Sequence, residues 1–190
     1  MLKTEINDQG RATVTLNRPE VHNAFDEALI AGLQETFSGL SENPDVRLIV
    51  LKAEGKSFCA GADLNWMKRM SGYSYEENMA DGKALAGMLH TIATCPQPVI
   101  GQIQGPAYGG GVGMVSVCDI AIASSRARFI FSEVKLGITP ATISPYVVAA
   151  IGERQAHRYF LTAELFDAAT ALNFGLVHQV VAPDELETTV

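Results

Sequence analysis

Three successive glycines, Gly109-Gly110-Gly111, separate a strand-like run, Val99 to Gln104, from a small-residue segment that reaches Val117. Glycine has no Cβ, so a chain can turn sharply there and another group can approach the backbone closely. If a strand enters such a junction and a helix leaves it, unpaired N–H groups and the positive end of the helix dipole face outward together. The arrangement recurs earlier in the chain. There the β-branched run Arg47 to Ala53 leads through a loop, Glu54 to Gly61, into a helix-like stretch starting at Ala62. Strand, glycine turn, helix and strand form the repeating theme, which predicts a chain of alternating elements.

The remaining segments fit that theme. Leu2 to Asn7 and Arg11 to Asn17 alternate with period two around Asp8-Gln9-Gly10 and read as a hairpin. Asn23 or Asp26 can cap a helix on which Leu29, Leu33, Phe37 and Leu40 recur at spacings of three and four. A second helix is predicted from Tyr75 to Thr94, with Leu85, Met88, Leu89 and Ile92 inward, and Pro96 and Pro98 end it. Short strands follow at Ile120 to Ala123 and Ala127 to Phe131. Helices are expected at Ser144 to Ala150, Glu153 to Leu161 and Ala169 to Gly175, then a strand at Leu176 to Val181. Residues 1–190 read as a single domain. The last residues, Pro183 to Val190, look like the first turns of a helix cut short, so a truncated C-terminal helical segment is expected.

Charge and cysteine content narrow the function classes. A net charge of −7 argues against a broad face for neutralising nucleic-acid phosphates, so no nucleic-acid partner is expected. No stretch of 18 or more apolar residues appears, and no membrane association is expected. Cys59, Cys95 and Cys118 are odd in number and show no metal-ligand spacing, which suits a reducing, cytoplasmic setting without a metal.

Several nucleotide and hydrolase motifs fail on inspection. Read as a dinucleotide fingerprint from Gly109, the final glycine would fall on Met114; read from Gly111, it would fall on Ser116. Gly55-Lys56-Ser57 imitates the end of a phosphate-binding loop, but Val50 stands where its first glycine belongs. There is no G-x-S-x-G or H-E-x-x-H, and His22, His90, His157 and His178 stand singly. What remains is the pair of junctions, Ala60-Gly61-Ala62-Asp63-Leu64 and Gly109-Gly110-Gly111. Each is able to aim a main-chain N–H at one point, as in an oxyanion hole, and each is also explicable as a tight turn.

Taken together, Asn17-Arg18-Pro19 with Asn23-Ala24, Phe58 to Leu64, Pro98 to Asp119, Phe131 to Ile138 and Ala171 to Val177 resemble, in order, the motifs of the enoyl-CoA hydratase/isomerase (crotonase) superfamily. The resemblance covers nearly the whole chain. It implies an α/β fold of the crotonase-like (ClpP/crotonase) type, a spiral of repeated ββα units with surrounding helices. It also implies an acyl-CoA thioester partner, and assembly as a homo-trimer or hexamer when the C-terminal segment is present. Coenzyme A would be part of the substrate, with no separate cofactor.

Carried over by position, the N–H groups of Ala62 and Gly110 resemble the oxyanion hole and Glu133 the catalytic carboxylate. Ala24, Ala60, Asp63, Leu64 and Asn65 look like residues bordering coenzyme A. Lys52, Lys56 or Lys68 are candidates for its phosphates, and Tyr73, Tyr75, Met79, Met88 and Tyr146 for the acyl pocket.

One departure matters: where two-glutamate hydratases carry their other glutamate, this chain has Gly113. Ser116 or Tyr108 are candidates to hold a water in its place. A single carboxylate is similar to Δ3,Δ2-enoyl-CoA isomerases, whereas Ser132 to Tyr146 is similar to hydratases of branched-chain catabolism, especially the methylglutaconyl-CoA type. Hydration is therefore the first expectation, isomerisation the second, and a non-catalytic acyl-CoA-binding protein the reading from another class.

Overall fold

The computed structural model describes all of residues 1–190. The predicted hairpin forms from β1 (Leu2–Ile6) and β2 (Arg11–Leu16), paired antiparallel with Leu2 opposite Leu16. Gly10 turns it at a φ of +79°. Parallel to β2 lies β3 (Leu48–Ala53), then β4 (Val99–Ile103), β6 (Ile120–Ser124) and β9 (Gln179–Val181), giving a six-stranded sheet in the order β1-β2-β3-β4-β6-β9. Only the first pair is antiparallel. A second, three-stranded sheet contains β5 (Ala107–Tyr108), β7 (Arg128–Ile130) and β8 (Phe166–Asp167). The chain leaves the large sheet at β5, returns at β6, and leaves again at β7.

Parallel strands need crossovers, and helices supply them. Helix α1 (Glu27–Glu42) buries Leu29, Ile30, Leu33, Phe37 and Leu40, the stripe that the spacing predicts. Of the two candidate caps, Asp26 serves, accepting the Leu29 N–H at 2.8 Å. Helix α3 (Tyr75–Ala93) starts from a capping box between Ser74 and Glu77 and buries Met88, Leu89 and Ile92, while Leu85 is half-buried. The remaining helices are α2 (Leu64–Met70), α4 (Gly110–Ser116), α5 (Ser144–Thr162), α6 (Ala168–Phe174) and the short α7 (Leu186–Thr189).

Several boundaries differ from the sequence expectation. The helix expected from Ala62 begins at Leu64, because Ala62 is held extended by a parallel bridge to Phe25 and Asp63 becomes the cap. The strand expected from Leu176 shortens to Gln179–Val181, because the N–H groups of Leu176 and Val177 turn back to the Ala171 carbonyl at the end of α6. Ala127 and Phe131 drop out of β7. The two helices expected on either side of Gly152 are both present within α5, separated by a kink where Gly152 leaves the helical backbone at φ +77°.

An aromatic cluster fastens the small sheet to α5 and α6. Phe166 stacks on Phe129 at 5.5 Å between centroids and meets Tyr159 edge-on at 4.8 Å, while Phe160 meets Phe131 edge-on at 4.9 Å. Such pairs add roughly 0.5–1.5 kcal/mol each beyond the area they bury.

Candidate active site

Asn23 organises the loops beneath the site. It is fully buried at a φ of +55°, a left-handed conformation that asparagine tolerates better than most residues. Its Oδ1 accepts the Arg18 N–H at 2.8 Å, and its Nδ2 donates to the carbonyls of Glu54 and Ser57, both at 2.9 Å. The Ala60 N–H donates to the His22 carbonyl at 3.0 Å. The Asn-Arg-Pro and Asn-Ala pieces of the sequence motif are therefore a clamp that holds the loop leading to Gly61. Arg18 completes it by donating to the Ala24 carbonyl at 3.1 Å and to Asp26 at 2.6 Å.

Phe25 then aligns the two glycine junctions. Its N–H donates to the Gly61 carbonyl and its carbonyl accepts from the Asp63 N–H, both at 2.7 Å, so the intervening Ala62 N–H has no protein acceptor. Its ring lies on Gly110, where a Cβ would come within 2.8 Å of the ring edge. The Gly110 N–H, in the first turn of α4, likewise has no protein acceptor, nor has that of Gly111, whereas the N–H groups of Gly109 and Val112 are engaged. Gly61 at φ +86° packs so closely that a Cβ there would sit 2.9 Å from the Tyr108 carbonyl oxygen. One residue thus brings the two predicted donor segments side by side, and close backbone contact keeps them there.

Glu133 comes from a 3-10 turn, Glu133–Leu136, that follows β7. Its carboxyl lies over Gly109, where an added Cβ would be 3.0 Å from Oε1. The other oxygen, Oε2, is shielded from solvent without a hydrogen-bond partner. Burial raises the pKa of this carboxyl above the ordinary glutamate value, against a smaller opposing effect of a backbone hydrogen bond. Two free amides beside a carboxyl of raised basicity can polarise a carbonyl oxygen and move a proton next to it.

The profile of the family described as Enoyl-CoA hydratase/isomerase matches residues 7–190. The chain belongs to this family. It is 37% identical over 180 residues to the enoyl-CoA hydratase ACTT6 of Alternaria alternata, covering 95% of this chain and 58% of that one. It is 33% identical over 177 residues to the crotonyl-CoA hydratase of Syntrophomonas wolfei, covering 92% and 67%. A solved Legionella pneumophila structure, described as an enoyl-CoA hydratase/isomerase (crotonase), superposes with a TM-score of 0.96 at 48% identity, covering 99% and 72%. The crotonase-like fold is therefore the fold of this chain. The chain spans 58% to 72% of the lengths of these three relatives.

Against this family background the other predicted residues divide. Asp63 caps α2, accepting the N–H groups of Asn65 at 2.8 Å and Trp66 at 3.1 Å; Leu64 and Asn65 are exposed beside it. Ala60 is half-buried next to Gly61, and Ala24 is buried with its carbonyl engaged by Arg18. Lys56 and Lys68 are exposed, whereas Lys52 pairs with Glu187 at 3.2 Å in a polar hollow shared with Lys3 and Arg11.

Ser116 is engaged within α4. Its hydroxyl donates to the Val112 carbonyl at 2.9 Å, and the residue borders a groove of about 360 Å³ with Asp119, Tyr146 and His178. That groove lies two turns along α4 from Gly109, roughly 10 Å away by helix rise, and does not include Glu133. Tyr146 borders this groove. Met88 is fully buried in the core, and Tyr75 and Met79 are exposed.

No local pattern in the sequence marks Ile143. A Cβ on Gly113 would collide with Ile143 Cγ2, lie 2.9 Å from Ile143 Cβ and come within 3.8 Å of Leu89 Cδ2. Only packing that joins distant parts of the chain identifies that residue. No three His, Cys, Asp or Glu side chains are grouped as metal ligands, and no helix is long and apolar enough to cross a membrane.

Proposed function

We propose that the protein is an enoyl-CoA hydratase acting on a 2-enoyl-CoA thioester. The observation that carries this reading is that two amides without protein acceptors, Ala62 and Gly110, sit in junctions packed together by Phe25, with the half-buried Glu133 carboxyl over the adjoining Gly109. The thioester carbonyl oxygen accepts from both amides, which draws electron density from the conjugated double bond. Glu133 takes a proton from water as the water oxygen bonds to Cβ. The electron pair moves onto the thioester as an enolate, stabilised by the same two N–H groups. Glu133 then delivers its proton to Cα, so one water is added and the carboxylate is regenerated. Polarisation of the thioester supplies the electrophilicity, and no separate cofactor takes part.

Removing one oxyanion donor typically costs on the order of 10²–10³ in rate, and a general acid–base group contributes on the order of 10²–10⁴. Coenzyme A lies, in this reading, along Ala24, Ala60, Asp63, Leu64 and Asn65. The finer substrate proposal is 3-methylglutaconyl-CoA in branched-chain catabolism, supported by the likeness of Ser132 to Tyr146 to hydratases of that type. A homo-trimer or hexamer in the cytoplasm belongs to the same proposal; the free state of Cys59, Cys95 and Cys118 supports a reducing setting, and mass in solution tests the assembly.

One observation favours Δ3,Δ2-enoyl-CoA isomerisation as a second reading. Gly113 carries no carboxyl and faces the apolar Ile143, so Glu133 alone can shuttle a proton between two carbons. A mass-resolved assay with crotonyl-CoA, 3-methylglutaconyl-CoA and a 3-enoyl-CoA separates the two. Gain of one water, lost in Glu133→Gln, is the expected result. A shifted double bond at constant mass would replace hydration by isomerisation, and tight acyl-CoA binding without turnover would leave only a binding protein.

A further inference from the structure

Between Arg18 and Phe25 the backbone passes through two left-handed residues in succession. A 3-10 turn, Pro19–Val21, is followed by His22 and Asn23 with φ angles of +54° and +55°. A Cβ disfavours that conformation, so two such residues together persist only where surrounding bonds hold them. Asn23 is held by its three side-chain bonds. His22 is exposed, yet its ring Nδ1 lies 3.0 Å from the hydroxyl of Ser57, a residue only 8% exposed.

Three parts of the chain meet at Ser57. Its hydroxyl bonds His22, and its carbonyl accepts from Asn23 Nδ2 at 2.9 Å and from Gln104 Nε2 at 3.1 Å. From there an extended stretch runs to Ala62. On one side, the N–H groups of Phe58 and Cys59 donate to the Pro106 carbonyl at 2.9 and 3.2 Å, and the Cys59 carbonyl accepts the Tyr108 N–H at 2.9 Å. That neighbour continues directly into Gly109 and Gly110. On the other side, the Ala60 N–H donates to the His22 carbonyl at 3.0 Å. His22 therefore grips the stretch twice, by its carbonyl at Ala60 and by its ring at Ser57. One hydrogen bond leaves a segment free to pivot about it, whereas two spaced bonds fix its angle as well. Of the two, only the ring bond depends on which side chain stands at position 22.

We infer that His22 is a positioning residue: through the Ser57 hydroxyl, its ring sets the angle at which the 57–62 stretch presents the Ala62 N–H beside that of Gly110. This deepens the acyl-CoA reading proposed above and rests on it. The role asks for a hydrogen bond and not for a proton transfer. A hydroxyl can donate to Nδ1 or accept from it, and so serves either form of the ring.

The test compares His22→Gly, His22→Asn, Ser57→Ala and the double variant His22→Gly/Ser57→Ala with the parent chain. Glycine keeps the left-handed backbone and loses the ring bond. Asparagine tolerates the same backbone and carries an amide atom where the imidazole carries Nδ1. Tm, kcat and KM with the enoyl-CoA that the parent turns over, and amide hydrogen exchange at Ala60 and Asp63, are read for each. His22→Gly and Ser57→Ala are each expected to lower kcat on the order of tenfold, less than removal of a donor, and to speed exchange at Ala60 by a similar factor. The double variant is expected to lose no more than either single one, because both remove the same bond. His22→Asn is expected to recover most of the loss.

His22→Gly with the kcat and Ala60 exchange of the parent would overturn the inference. So would losses that add in the double variant, or a folded His22→Asn protein as slow as His22→Gly, since either would assign the effect to something other than the Ser57 bond. A fall in kcat that only follows a fall in Tm, and vanishes on cooling, would reduce His22 to a stabilising role and overturn it too. If His22→Gly does not fold, Ser57→Ala and His22→Asn decide the same question. No turnover of any enoyl-CoA by the parent chain would overturn the functional reading instead, whatever the exchange comparison gives.

Discussion

At Glu133, burial and ionisation oppose each other: Oε2 is shielded without a partner, and desolvation raises the pKa of the carboxyl. A group whose folded pKa is raised contributes stability that is fully present below its unfolded pKa and is lost as pH rises through the folded pKa. Glu133→Gln removes that loss, so the variant is expected to be at least as stable as the parent at neutral pH, with a flatter dependence of Tm on pH. Activity that needs the carboxylate runs the opposite way, and the acidic limb of kcat/KM is expected above the range of an ordinary glutamate. Asn23 tests the clamp: Asn23→Ala strands the Arg18 N–H and the Glu54 carbonyl, leaves the Ser57 carbonyl to Gln104 alone and keeps a left-handed backbone, for an expected loss of roughly 2–4 kcal/mol in urea denaturation. Ala62, Gly110 and Glu133 were legible in the sequence because glycine junctions and contiguous motifs carry them. Ile143 was not, since its meaning lies in a contact with a residue far away along the chain.

Helices show the same division between local and distant causes. The apolar stripe and acidic cap of α1 are local, and the spacing of Leu29, Leu33, Phe37 and Leu40 predicts them. Asp26→Ala removes the cap bond to Leu29 and the ion pair with Arg18, and a loss of about 1 kcal/mol is expected in chemical denaturation. The start of α2 falls later than the sequence pattern suggests because the bridge from Ala62 to Phe25 is a tertiary contact that overrides helical preference, and β9 is shortened by the bonds that end α6. For α4, Gly110→Ala drives a methyl group into the Phe25 ring and displaces one donor from its aim. A fall in kcat on the order of 10², with the far-UV circular dichroism retained, is the expected outcome.

Across the whole molecule, alternating strands and helices were readable, but the order of strands was not. Nothing in the two-residue runs Ala107–Tyr108 and Phe166–Asp167 announces a second sheet, because their pairing depends on strands far off in sequence. The aromatic cluster around Phe166 holds that sheet to α5 and α6, so Phe166→Ala is expected to cost about 3–5 kcal/mol, measured by urea denaturation. Gly152 divides α5 between two tasks. Before it, Val147 and Ile151 continue the packing that begins at Ile143; after it, Ala156 and Tyr159 face the aromatic cluster. The space around Gly152 is open, so its φ of +77° is a requirement of the backbone rather than of crowding. α5 therefore acts as two short levers on one pivot. A substitution that alters how the first arm packs against α4 can therefore be absorbed at this joint, leaving the aromatic anchorage of the second arm undisturbed.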